Sequence, residues 1–172
     1  MRLSLALLAF ALSGAQAFAA DSVLEKFVGS WIGHGKYWSS PDAKPELVYC
    51  KIANTLAEGG NSLEQKGRCA VASHSGPVKG VIKASGAGLY LGSLESISTA
   101  GPARLVGKGA VARIDFHADF IDRLSRQPTQ AVITLLAGDG KYRLVSNPLG
   151  PNGEPLFVTT DIIFTPQATT PH

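Results

Sequence analysis

The residues best able to do chemistry in this chain lie in "RIDFHADF", Arg113 to Phe120. Read as a strand, the segment puts Asp115, His117 and Asp119 on one face, with Ile114, Phe116, Ala118 and Phe120 on the other. Two carboxylates flanking an imidazole are suited to hold a divalent metal or to raise the histidine pKa for acid–base work. Same-face neighbours on one strand stand nearly 7 Å apart, so a further ligand must come from elsewhere, and His34 is the candidate. The alternative is the polar outer face of an amphipathic strand, and we take that reading. Other chemistry lacks its motif. There is no Gly-x-Ser-x-Gly elbow, no His-Glu-x-x-His, no zinc spacing and no phosphate-binding glycine loop before a helix. Neither a cofactor nor an enzyme is called for.

A second constellation lies around "AEGGNS", Ala57 to Ser62, which reads as a hairpin turn. If the turn centres on Gly59 and Gly60, Cys50 opposes Cys69. Leu56 then meets Leu63, Ile52 meets Gly67, and Val48 meets Val71, all on the cysteine face. Thr55–Glu64, Ala53–Lys66 and Lys51–Arg68 fall on the other face. Pattern, turn and cysteines agree on one register. A four-residue loop, Glu58 to Asn61, is preferred because it makes the cysteines a non-hydrogen-bonded pair, whose side chains stand closer. The expected bridge is structural and stabilises the chain by roughly 3 kcal/mol. On the same inner face Asn54 opposes Gln65. Such an amide pair either orients a ligand in an apolar cavity or satisfies itself within a filled core. Outside, Lys51, Lys66 and Arg68 cluster, a solvated face or a patch for an anionic partner.

The elements that position these residues are short. Period-two alternation predicts strands near 30–38, 46–57, 62–72, 78–84, 88–95, 104–118, 130–137, 141–147 and 156–165. The joints carry turn chemistry, for example "SSPDAKP", "SGAG", "GDG" and "NPLGPNGEP". "DSVLEKFV", Asp21 to Val28, fits a short helical turn, and 119–127 is ambiguous between strand and helix. The expected fold is all-β: one antiparallel up-and-down barrel of about 8–10 strands, with a β-sandwich as the alternative.

The first twenty residues stand apart. Arg2, an apolar run from Leu3 to Leu12 and Ala-x-Ala sites ending at Ala17 and Ala19 form the plan of a cleavable secretory signal. The run is too short for a lasting membrane anchor. The expected product is a bacterial periplasmic or secreted domain, residues 21–172. Removing Arg2 lowers the formal net charge from +3 to +2, and charged residues at 17% of the chain exclude nucleic acid as a partner on composition. Two cysteines in an oxidising compartment predict one intramolecular disulfide.

In "KFVGSWIGHGKYW", Lys26 to Trp38, Trp31, Gly33, Gly35 and Tyr37 share one face of the first strand. Trp31 is placed to plug one barrel end. "FVGSW", after a helical turn, resembles the Gly-x-Trp opening of the lipocalins and wider calycins. The resemblance covers about ten residues and implies an antiparallel barrel with a small-molecule cavity. It also implies a late arginine packed over Trp31, for which Arg143 is the candidate position. The run Gly29-x-Trp31-x-Gly33-x-Gly35 resembles the start of nitrobindin-like haem barrels as well. That pattern continues into a proline-threonine segment and a haem-ligating histidine near the C-terminus. Here Tyr37-Trp38-Ser39-Ser40 and the final His172 stand in those places, so haem is not expected.

The expectation is a non-enzymatic exported barrel that binds a small apolar or amphipathic ligand, lined by Trp31, Asn54 and Gln65. The alternatives are an envelope interaction protein, acting through its loops or cationic face on a protein or anionic polymer, and a metal- or histidine-dependent enzyme.

Overall fold

The computed structural model describes residues 21–57 and 59–168, so the signal segment, Glu58 and His172 lie outside the described residues. Residues Ser22–Glu25 form one helical turn, α1, whose N-cap Asp21 accepts hydrogen bonds from the amides of Val23 (3.0 Å) and Leu24 (3.1 Å). Ten strands follow: β1 (Gly29–Tyr37), β2 (Glu46–Leu56), β3 (Ser62–Ala70), β4 (Ser75–Ala84), β5 (Leu89–Glu95), β6 (Ala103–Ala110), β7 (Arg113–Ile121), β8 (Pro128–Gly138), β9 (Lys141–Pro148) and β10 (Thr160–Pro166). Each pairs antiparallel with its sequence neighbours, and β1 pairs with β10, so the sheet closes into an up-and-down barrel. Closure leaves no unpaired edge.

The β2–β3 ladder has the register expected from the turn, from Leu56↔Leu63 through Asn54↔Gln65 and Cys50↔Cys69 to Tyr49↔Ala70. Val48 and Val71 lie just beyond its end, both buried. Ala57 donates to the Ser62 carbonyl at 2.8 Å, so four residues make the loop. The Cys50–Cys69 disulfide spans 4.1 Å between Cα atoms, the close spacing of a non-hydrogen-bonded pair.

The stretch expected as one strand, 104–118, is two. A turn at 111–112 separates β6 from β7, and Val111 adopts a positive φ of 59° there. A β-branched residue is among the least suited to that conformation, which is why "GAVARI" carries no turn signature. The ambiguous segment 119–127 is strand to Ile121, then a loop. The Asp122 carboxylate accepts from the amides of Leu124 and Ser125 (3.0 and 2.7 Å), fixing a turn in place of the helix. Leu156 to Val158, expected as strand, belong to the connection before β10.

Gly33 and Gly35 let β10 lie close over β1. A Cβ at Gly33 would sit 2.6 Å from the Phe164 ring, and one at Gly35 would sit 2.7 Å from the Ile162 Cα.

Candidate functional site at the open end of the barrel

The two barrel ends are built differently. One is sealed by α1. Val23, Leu24 and Phe27 are buried there, and the Phe27 carbonyl accepts from the Trp31 indole (2.9 Å) and the Asn54 amide (2.8 Å). Asn54 in turn accepts from Gln65 at 3.1 Å. Tyr142 stacks on Phe164 and meets the edges of Trp31 and Phe27, with centroids 4.3, 4.9 and 5.5 Å apart. Its hydroxyl is buried without a hydrogen-bond partner among the described residues, and burial pushes its pKa up. Tyr90 donates to the Asp21 carboxylate at 3.1 Å. Burial and that hydrogen bond push its pKa up to about 12.

At the opposite end the interior opens into a cavity of about 120 Å³. Its walls include Val48, Ile52, Val78, Leu94, Ile162 and Phe164, with Gln65 and Cys69 toward the middle of the barrel. Hydroxyls gather at the mouth: Tyr37, Ser96, Ser98, Thr99, Ser146 and Thr160. Among the described residues no charged side chain lines the cavity. The mouth continues into a vestibule of about 390 Å³, walled by Trp38, Phe120, Leu124, Leu156 and Phe157 among others, with Asp122 its one charged lining residue among the described residues.

The register explains this gradient. Tyr37, Thr160 and Ser146 are direct partners across β1, β10 and β9. The inward row below runs Gly35–Ile162–Leu144, and the next runs Gly33–Phe164–Tyr142. Hydroxyls thus give way to aliphatic and then aromatic side chains with depth. Burial is the main cause that raises the Tyr37 pKa, with the charges of Asp122 and Glu46 adding to it.

The residues expected at a ligand site are therefore divided. Gln65 lines the cavity, whereas Trp31 and Asn54 lie in the sealed floor, bonded to the Phe27 carbonyl. Period two places side chains on the inner face without saying at which depth the interior is filled, so the sequence reading missed Tyr37, Ser146 and Thr160. Their only signal was inward parity close to strand ends.

Asp115, His117 and Asp119 lie on the outer face of β7. Asp115 takes a two-point contact from Arg113 (2.6 and 2.8 Å), which holds its carboxyl below the usual range, and Asp119 accepts from Gln130 at 2.8 Å. His117 is exposed, and His34 stands on β1, four strands away round the barrel. Among the described residues no group of three His, Cys, Asp or Glu side chains is arranged to hold a metal. Arg143 does not pack over Trp31. It points outward to Asp161 through two contacts of 2.7 Å, and its neighbour Tyr142 meets the indole instead. Lys51, Lys66 and Arg68 share an external groove with Ser30 and Gln167. Among the described residues no helix is long and apolar enough to cross a membrane.

No protein-family model matches the chain, and no curated protein matches it in sequence. Fold and site together define a closed ten-stranded antiparallel barrel with a cavity open at one end, an architecture consistent with a calycin-like fold.

Proposed function

We propose that this chain is an exported, calycin-like β-barrel that binds a small apolar or amphipathic molecule in its open-end cavity, without catalysing a reaction. The observation that carries this reading is the cavity itself: apolar walls, free of charged side chains, rimmed by hydroxyls. Small-molecule sites have this composition, a few polar groups orienting a guest held by apolar contact. The secretory plan of residues 1–20 and the Cys50–Cys69 bridge support export into an oxidising compartment.

The test is native mass spectrometry of the mature protein, produced in an oxidising compartment, beside an Ile133→Trp variant that fills the cavity. A stoichiometric adduct present in the first and lost in the second is expected. An adduct of equal occupancy in both, or none in either, would overturn the reading.

A second reading rests on the outer face of β2 and β3. Lys51 and Arg68 are directly opposed and form no ion pair among the described residues, whereas Lys66 pairs with Glu64 and Arg113 and Arg143 each have an aspartate. Like charges placed opposite each other are unfavourable unless a partner supplies the anion. Charge reversal at Lys51, Lys66 and Arg68 would then abolish a salt-sensitive association with an anionic envelope polymer.

A further inference from the structure

The mouth of the cavity also selects the ligand's head group, an inference that rests on the cavity reading above. Four hydroxyls there, those of Tyr37, Ser98, Ser146 and Thr160, make no side-chain hydrogen bond among the described residues. Those of Ser96 and Thr99, by contrast, are used within their own turn. Three of the four form a continuous inward row, since Tyr37 opposes Thr160 and Thr160 opposes Ser146. Below them, Ile162 and Leu144 and then Phe164 offer no polar atom, and Gln65, the amide deeper in the wall, gives its Nε2 to Asn54, so a guest enters tail first and leaves its polar end at this row.

Two carboxylates stand near the mouth. Glu46 extends the row beyond Tyr37, its direct partner, and Asp122 lines the vestibule. Both are already engaged as acceptors, Glu46 by the Ser73 amide and hydroxyl, Asp122 by the amides of Leu124 and Ser125. Arg123 and Arg126, in the loop that carries Asp122, line neither space, and Arg123 directs its Nε to the Thr99 carbonyl at 3.4 Å. An anionic head would meet no cation in the lining of either space among the described residues. An ammonium seated at the hydroxyl row would exchange its hydration for neutral oxygens, since neither carboxylate lines the cavity itself.

We propose that the cavity takes an uncharged amphiphile, a short alkyl chain or single ring bearing a hydroxyl or carbonyl head held by Tyr37, Ser146 and Thr160. Size agrees: an apolar cavity of about 150 Å³ admits a benzene-sized guest, and this one is about 120 Å³ with a vestibule beyond it.

The experiment titrates the mature, oxidised protein with 1-octanol, octanoate and octylammonium at neutral pH. It is read by calorimetry and by fluorescence of Trp38, which lines the vestibule. The alcohol should bind at least about tenfold more tightly than either ion, because burying an unpaired charge costs several kcal/mol. Thr160→Val and Ser146→Ala should each weaken the alcohol about threefold to tenfold, the loss of one hydrogen bond, and leave the ions unchanged. Octanoate or octylammonium binding as tightly as octanol, yet lost in the cavity-filling Ile133→Trp (or Leu94→Trp, should the first not fold), overturns the head-group inference and keeps the cavity reading. Silence from all three probes overturns both.

Discussion

The sealed and open ends of this barrel are made from the same strands and the same alternation, yet they spend their side chains differently. At the sealed end, polar atoms turn toward the protein itself: the Phe27 carbonyl takes two donors, Asn54 links it to Gln65, and Asp21 serves both its helical turn and Tyr90. At the open end, four hydroxyls have no hydrogen-bond partner among the described residues, and a cavity opens beside them. The interior of a barrel widens with strand number, and ten strands leave more space than eight. The short helix closes one end with Val23, Leu24 and Phe27, and the other keeps a cavity of about 120 Å³.

This contrast predicts where mutations register. The largest effect belongs to Trp31→Ala, which should lower the unfolding free energy by about 3–5 kcal/mol in a urea titration. Phe120→Ala, at the mouth, should cost well under half as much. Equal losses would erase the distinction between the ends. Replacing Cys50 and Cys69 together by alanine should cost roughly 3 kcal/mol on the chain-entropy model, with reduction of the native protein giving a matching shift. Asn54→Leu and Gln65→Leu sharpen the comparison further. The first strips a donor from the Phe27 carbonyl and should cost about 1–3 kcal/mol of stability. The second should cost less, and should alter ligand capture instead.

Smaller effects follow at Tyr90 and Val111. Because the folded Tyr90 pKa is raised to about 12 from an ordinary value of 10.0, the folded state holds a proton that the unfolded chain gives up. Its contribution is complete below about pH 10 and is lost as pH climbs toward 12. Tyr90→Phe should therefore flatten the alkaline fall in melting temperature; an unchanged slope would show that neither its burial nor the Asp21 contact shifts its titration. Val111→Asn should be mildly stabilising, by about 1 kcal/mol at most, since asparagine tolerates the positive φ that valine resists.

Much of the fold was legible because alternation and turn chemistry are local signals. The helical turn, the β2–β3 register and the disulfide all rest on residues within about twenty positions of one another. The β6–β7 division escaped because its turn contains no glycine, asparagine or proline and places Val111 where valine is rarely found. The candidate site was legible only in part. Asn54 and Gln65 have the right parity, and only depth along the barrel separates a floor residue from a wall residue. Arg143 shows the same limit: its neighbour Tyr142 faces the interior, so alternation alone sends the arginine outward, away from Trp31.

By itself, then, the sequence determined which residues face inward, how β2 meets β3 and which cysteines join, because period two and a short loop leave few other arrangements. The tertiary structure alone decided that Tyr37 lies beside Thr160 and Thr160 beside Ser146. The β1–β10 contact that completes this row joins segments more than a hundred residues apart. Alternation specifies a face but not a partner, and the closing register is set only when all ten strands share one curvature and one core.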